Sequence, residues 1–529
     1  MTMLSTPFGS FKGKRADGVI QYLGIPYATL KDQLSCPEMV QSYEEVVDAT
    51  EYGPRAPAPD ASVFEQKSLI QAVIDETPSP RMSGIECLNV NITLPSPIGP
   101  ENTRKLPVMV FIHGGGFIMG SSSAPYFDST RLVSLSVELG TPVIVVSIKD
   151  SSYRLAVLGN LTSSELRAAG YRGNNALRDQ KCALQWVQSH IEAFGGDERN
   201  VTAFGVSAGS VAVLTQLFST EPLFTRAIAM SGTPIMLKPL SVARAEATYE
   251  SIIEALGLEN ASVEKRIQRL LTISAEELVE KTPMTARLAP YLDGRILPEA
   301  VTFEKLASTM DIPGTKWCKQ LMIGDCRHDG SVTFFMGLGS HIRNLGSKLY
   351  TSFSASLGAA SATSLLDAYG ITPSTADDVV LQHTIDLATD VVYAAPALSY
   401  ARAWPGERYM YHFNEGNPWE GQFKGMAIHM LDATFLFQNY NEKMEEFGKD
   451  VARALAKSFV AFANGIEPWD QFDQVARNVK VFGGAEVERT VGSNGWGDGR
   501  RNTLFRLAEE GKVNLDGLSV AWEEFLAGK

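Results

Sequence analysis

Cysteine is scarce in this chain of 529 residues: five, at positions 36, 87, 182, 318 and 326. So few thiols, odd in number and irregular in spacing, make no disulfide scaffold. Long runs of Lys and Arg are also missing, and 60 acidic against 47 basic residues leave a net charge of −13. A phosphate backbone would be repelled, so no nucleic-acid partner is expected. The opening MTMLSTPFGSFKGKR lacks the charged, then apolar, then small-residue order of an export signal, which predicts cytoplasmic residence. Sequons at Asn91, Asn160, Asn200 and Asn260 are on that reading coincidental. Two uncharged stretches, 106–127 and 200–220, are long enough to cross a bilayer but are broken by glycines and polar side chains. Each reads as a buried strand followed by a turn, and no transmembrane segment is expected. Repeats, low-complexity tracts and Pro- or Gly-rich linkers are absent too, which predicts one elaborated domain over residues 1–529. Cys318, Cys326 and His328 match no zinc spacing and lack a fourth ligand, so neither a metal nor any other cofactor is called for.

What is present is ordinary globular composition, 44% hydrophobic and 20% charged. The runs Leu106–Ile112 and Pro142–Ile148 are short, β-branched and nearly free of polar alternation, the pattern of strands buried on both faces. Between Gly173 and Phe194, Leu177, Ala183, Leu184, Trp186, Val187 and Ile191 recur at helical spacing, and Gly195-Gly196 is a natural stop. A further buried strand, Val201–Phe204, follows. Strand, helix, strand in this order implies a right-handed crossover and a parallel sheet, hence an α/β protein with helices on both faces. Lys319–Ile323 and Arg408–Phe413 read as later strands, and Ala243–Leu256, Ala359–Leu366 and Lys449–Ala463 as helices.

Chemistry concentrates at a few points. Gly205-Val206-Ser207-Ala208-Gly209 sets a Gly-x-Ser-x-Gly between a strand and a helix. A serine on so tight a turn needs small neighbours, because larger ones would collide with the adjoining strand and helix. Such a turn exposes the hydroxyl and aims backbone amides at the space above it. Directly after the strand ending at Ile112 stands His113-Gly-Gly-Gly-Phe117, whose bare backbone can turn N–H groups toward a developing oxyanion. Gly115, Gly116 and Ala208 are the expected donors.

A serine needs a base, and the order of such a site is serine, acid, then histidine. Of seven histidines, His328, His341, His383, His412 and His429 follow Ser207. His412 alternates with aromatic residues as in a strand, and His341 and His383 lie in stretches that read as helical. His429 sits in a glycine-containing loop after the turn at Asn417-Pro418, where this architecture holds its base. For the acid, Asp325 and Asp329 both follow the strand ending at Ile323, and spacing does not choose between them. Phe117, Met119, Trp419 and Phe435 read equally well as pocket lining and as core.

These residues resemble the type-B carboxylesterases, the group that includes cholinesterases and many fungal esterases, with the look closest to fungal members. The likeness runs through Gly24–Ala28, Glu86–Asn91, the His113 glycine run, Tyr153–Leu155, Gly173–Gln180, Phe194–Asp197, Ser207–Gly209, Ser231-Gly232 and Asp293-Gly294. The resemblance implies an α/β-hydrolase fold with a large, mixed, mostly parallel sheet. It selects Asp329, because the family sets its acid before the glycine of an Ile-Gly-x4-acid-Gly segment. It agrees on His429, through a His-x-x-acid segment matched by His429, Asp432, Phe435 and Phe437. Ser231 matches a serine of the family that lies near the triad. The chain also departs from the pattern. Val206 stands where the family usually has Glu, which predicts that no carboxylate supports the base from outside the triad. Ala56 occupies the position expected to pair with Cys87; Cys36 is the substitute partner the sequence offers, but a free thiol is the favoured expectation. The implied activity is hydrolysis of a small-molecule carboxylic ester through an acyl-enzyme on Ser207. Acyl transfer or lactone formation by the same triad is the alternative, and a non-catalytic binding protein of this fold the third.

Overall fold

The computed structural model describes residues 1–74, 79–96, 104–120, 123–148, 153–473, 475–492 and 499–528. At its centre, among the described residues, is a 13-stranded sheet, in which the short strand Val47–Asp48 pairs with Gly9–Ala16 off the main order. From Ile144–Ile148 the order runs through Leu106–Ile112, Gly196–Val206, Arg226–Met230, Gln320–Cys326 and Glu407–Phe413 to Val479–Phe482, every neighbouring pair parallel. Antiparallel strands extend both sides: Asn89–Pro95, Val19–Pro26, Gly9–Ala16 and Thr2–Thr6 on one, Glu488–Val491 on the other.

The apolar runs behave as their composition dictates. Successive side chains of a strand point to opposite faces. Val108, Val110 and Ile112 therefore enter one core with Trp186 and Leu184, while Met109 and Phe111 enter another with Leu132, Phe437 and Phe459. Helices Asn175–His190, Ala208–Gln216 and Ala395–Ala403 cover the first face; Thr130–Glu138 and Glu446–Ala463 cover the second. A strand buried on both faces has no polar side to show, which is why these segments carry no alternation.

Several boundaries move. Val201–Phe204 is the middle of the longer Gly196–Val206, whose polar start Asp197–Asn200 is crossed by a register shift against Leu106–Ile112. Pro142 stays outside its strand, which begins at Ile144. The strand foreseen as ending at Ile323 continues to Cys326 and so takes in Asp325. Cys318 and Cys326 bracket that strand, about 26 Å apart at strand rise, too far to share one metal with His328. His341 follows a short 3₁₀ turn, Leu338–Ser340, rather than lying in a helix, whereas His383 is helical, in Asp377–Thr389.

The two uncharged stretches are a strand followed by a loop (106–127, of which 121 and 122 lie outside the described residues) and a strand followed by a helix (200–220). Among the described residues no helix is long and apolar enough to cross a membrane. Asn91 and Asn160 are buried, Asn91 accepting a hydrogen bond from the Gly24 amide at 2.7 Å, so neither is open to a glycan.

Candidate active site

The parallel strands all end on one edge of the sheet, and the chemistry sits in the loops just past that edge, where an open α/β sheet leaves its crevice. Ser207 follows Gly196–Val206 with φ 56° and ψ −125°, and helix Ala208–Gln216 starts at once. Only the absence of side chains lets the turn close. A Cβ on Gly209 would stand 2.0 Å from the Ile112 carbonyl oxygen and 2.6 Å from that of His113; one on Gly205 would meet the backbone of Gly209 at 2.5 Å. Both obstacles are backbone and cannot swing away. Gly209→Ala is therefore expected to cost about 1–3 kcal/mol or more through overpacking, read as a lower urea midpoint together with reduced activity. Unchanged stability in this variant would contradict the geometry of the turn.

Gly115 and Gly116 follow Leu106–Ile112 with φ of +101° and +65°. The loop is held from behind. Phe117 accepts from the Ala156 amide at 2.9 Å and from Asn160 Nδ2 at 3.1 Å, and the His113 ring stacks on Tyr153 with centroids 4.9 Å apart. Burial lowers the His113 imidazole to about 4, so this histidine stays neutral and is a weak proton acceptor. Ala208 is the first residue of its helix, and the opening N–H groups of a helix have no carbonyl four residues back to bond.

Asp329 opens the 3₁₀ turn Asp329–Phe334, just beyond the strand ending at Cys326. Its Oδ1 accepts from His429 Nδ1 at 2.8 Å and its Oδ2 from the Cys326 amide at 2.7 Å. Both side chains are buried. Desolvation pushes the Asp329 carboxyl up, against the pull of His429 and of the Cys326 amide. The pair thus gains most when the imidazole becomes positive, which is what an acid partner must favour. Around His429 the Tyr393 ring lies 5.1 Å away, centroid to centroid, and the His429 amide donates to Ser331 Oγ at 3.3 Å. His328 stitches the two loops together: its amide donates to the Ala427 carbonyl at 2.9 Å and its Nδ1 accepts from the Ala427 amide at 3.2 Å.

The rival candidates have partnered each other. Asp325 and His412 stand directly opposite across neighbouring parallel strands. His412 Nδ1 bonds Asp325 Oδ1, and Arg501 Nε donates to Asp325 Oδ2 at 3.1 Å. Arg501 and His412 hold the Asp325 carboxyl down at about 2, against desolvation, the largest influence on it. This is a buried charge cluster within the sheet, built on partners other than His429. Ser231 donates to Cys326 Sγ at 3.8 Å, and so braces the strand end that holds Asp329. Phe117 and Phe435 belong to the core, fully buried. Trp419 leans on Tyr440 and donates from Nε1 to the Lys443 carbonyl at 3.1 Å, while Met119 is half-buried in the glycine loop.

The model of the Carboxylesterase family matches residues 1–483. The chain belongs to this family. Among curated relatives of this carboxylesterase-family protein is the para-nitrobenzyl esterase of Bacillus subtilis, 31% identical over 511 residues that cover 91% of this chain and 94% of the relative. Lipase 3 of Yarrowia lipolytica is 28% identical over 88% of this chain and 87% of its own length. A solved PNB esterase superposes with a TM-score of 0.74 at 27% identity, covering 95% of this chain and 99% of that one. The fold is that of the α/β hydrolases.

One expectation needs correcting. Val206 indeed points into an apolar cluster, but the surroundings of the base are not free of other carboxylates. Asp432 is buried, takes the Tyr411 hydroxyl at 2.7 Å, and is pushed by burial up to about 6, with the Asp329 charge adding to the rise. Glu65 is buried as well, takes the Tyr126 hydroxyl, and lies within electrostatic reach of His429. No local pattern announces Glu65. It lies 364 positions before His429 in a stretch without a periodic signal.

Proposed function

We propose that the protein hydrolyses a carboxylic ester through an acyl-enzyme on Ser207. The observation that carries this reading is the bond between His429 Nδ1 and Asp329 Oδ1, 2.8 Å long, in loops that share the sheet edge with the Ser207 turn. Asp329 fixes the imidazole tautomer in which Nδ1 bears the proton, leaving Nε2 as base. Ser207 Oγ loses its proton to Nε2 as it attacks the acyl carbon, and the carbonyl electrons move onto oxygen. The amides of Gly115, Gly116 and Ala208 serve as donors to that oxyanion. Imidazolium then gives its proton to the departing alcohol, and a water repeats the sequence to release the acid and restore Ser207. Relatives named as esterases and lipases favour water as the acceptor over transfer to a second alcohol or amine.

We read residues 1–529 as one catalytic unit, a reading supported by one continuous sheet that takes strands from Thr2 to Val491. Free thiols at all five cysteines favour a reducing compartment such as the cytoplasm. Burial pushes the Cys87, Cys182 and Cys318 thiols up to about 12, so they are inert as nucleophiles at neutral pH.

The test pairs a short-chain p-nitrophenyl ester with a fluorophosphonate probe on wild type and Ser207→Ala. Turnover and covalent labelling are both expected to disappear in the variant, with kcat lower on the order of 10³-fold or more. A folded wild type that takes no label would overturn the reading.

A further inference from the structure

Glu65 is a buried acid that the ester-hydrolysis scheme leaves without a task. It is 4% exposed and begins the π-helical turn Glu65–Ile70, which continues the short helix Ser62–Phe64. Single turns of π-helix are uncommon and recur at functional sites. This one is tied down on the loops that carry the acid and the base. Asn417 Nδ2 donates to the Ile70 carbonyl at 2.9 Å, the Phe423 amide to Gln71 Oε1 at 2.9 Å, and Tyr440 to the Ala72 carbonyl at 3.0 Å. Phe64 meets Phe335 edge-on at 5.2 Å, at the end of the turn that Asp329 opens. Segment 62–72 thus roofs the loops of Asp329 and His429.

Within that roof Glu65 accepts a hydrogen bond from Tyr126, which sits in the 3₁₀ turn Pro125–Phe127 against helix Leu431–Leu436, next to His429. Among the described residues no Lys or Arg pairs with it. The titratable groups facing it are Tyr126, Asp60, Tyr440 and His429. His429 is the one that becomes a cation during the reaction. Burying an acid with no permanent cation costs stability, and the cation that forms within its electrostatic reach is the imidazolium of the reaction. Tyr126, whose own ionisation burial pushes far up, remains an O–H donor and steadies the carboxylate form.

We propose that Glu65 is a positioning residue for this hydrolysis: held by Tyr126, its carboxylate stabilises the imidazolium of His429 that forms when Ser207 gives up its proton. It supplies from a distant part of the chain the negative charge that Val206, beside the nucleophile, cannot. Glu65 neither gains nor loses a proton in the cycle; the proton passes from Ser207 Oγ to His429 Nε2 and on to the leaving alcohol.

Burial pushes the Glu65 carboxyl from 4.5 up to about 7, with the Tyr126 bond and the His429 charge pulling against it. Its contribution to stability is full below the unfolded value and is lost as pH rises through about 7, where the buried group ionises. Glu65→Gln keeps the shape and the Tyr126 bond and removes the charge. The variant should therefore melt higher than wild type at pH 8, yet hydrolyse more slowly. A residue that merely holds structure would lose stability and activity together.

The proposal rests on the esterase reading, and wild type is assayed alongside. For Glu65→Gln at pH 8, kcat is expected to fall on the order of 10-fold, about 1.4 kcal/mol of lost transition-state stabilisation, with KM little changed. The ascending limb of kcat against pH moves to lower pH, and Glu65→Asp restores much of both. Tyr126→Phe should resemble Glu65→Gln near pH 7 and recover at higher pH, once the unsupported carboxyl ionises. Profiles and kcat of Glu65→Gln that superimpose on wild type overturn the role, as does a joint loss of melting temperature and activity that Asp does not rescue. NMR titration of His429 in Ser207→Ala, with and without Glu65→Gln, reads the coupling without turnover. If wild type neither labels nor hydrolyses, the esterase reading fails, and this titration still decides whether Glu65 acts on His429: a lower His429 value in the Gln variant sustains it, an unchanged value overturns it.

Discussion

Asp329→Asn is expected to lower kcat of ester hydrolysis on the order of 10⁴-fold, because Asn holds the imidazole in the wrong tautomer and offers no charge to the imidazolium. Asp325→Asn is expected to do something different in kind. Asp325 carries the Arg501 guanidinium and the His412 ring inside the sheet, so its loss leaves Arg501 buried without its anion. Breaking a buried pair by removing one partner costs about 3–5 kcal/mol. The folded enzyme should nonetheless turn over close to the wild-type rate, since the Asp329–His429 bond is untouched. Steady-state kinetics of both variants at a temperature where each is folded, with chemical denaturation alongside, separate the roles. A collapse of kcat for Asp325→Asn with little change for Asp329→Asn would reverse the assignment.

Asp179→Asn is expected to be strongly damaging although it lies away from the chemistry. The side chains of Arg154 and Asp179 are both fully buried. Arg154 donates from Nη2 at 2.7 Å and from Nε at 2.9 Å to the two carboxylate oxygens, and its own amide adds a third bond at 2.9 Å. Its Nη1 reaches the carbonyls of Gln33 at 3.1 Å and Ser35 at 2.7 Å. Without the Asp179 charge a guanidinium is stranded in the core, a loss of about 3–5 kcal/mol. Activity should fall with stability, because Arg154 lies between Tyr153, which stacks on His113, and Ala156, whose amide holds Phe117. Arg154→Met with Asp179→Leu should recover part of the lost stability, since an apolar pair avoids the desolvation penalty. Urea midpoints of the single and double variants test this. A single variant as stable as wild type would mean that the charge is satisfied elsewhere.

Much of this was legible along the chain. Apolar runs without alternation give doubly buried strands, and the glycines beside Ser207 and after His113 mark turns that admit no side chain, because such properties are set by neighbours a few residues apart. Tyr153–Leu155 and Gly173–Gln180 stood out as motifs, yet nothing in either shows that Arg154 and Asp179 meet. The choice between Asp325 and Asp329 was closed to spacing for a related reason. The strand runs to Cys326, so Asp325 falls in register with His412 and is consumed there, while Asp329 clears the strand end and turns toward His429.

The sequence by itself determined the layered α/β architecture and the family, and it singled out Ser207, the glycine loop and His429 as candidates, since each rests on periodicity or on a motif read within one segment. Only the tertiary structure decided that Asp325 meets His412, that Arg501 closes on Asp325 from near the carboxyl terminus, and that Glu65 is buried against Tyr126 over the loops beside His429. Those pairings depend on strand register and on loops stacked from distant parts of the chain, and a charge buried among them acts through space rather than along sequence.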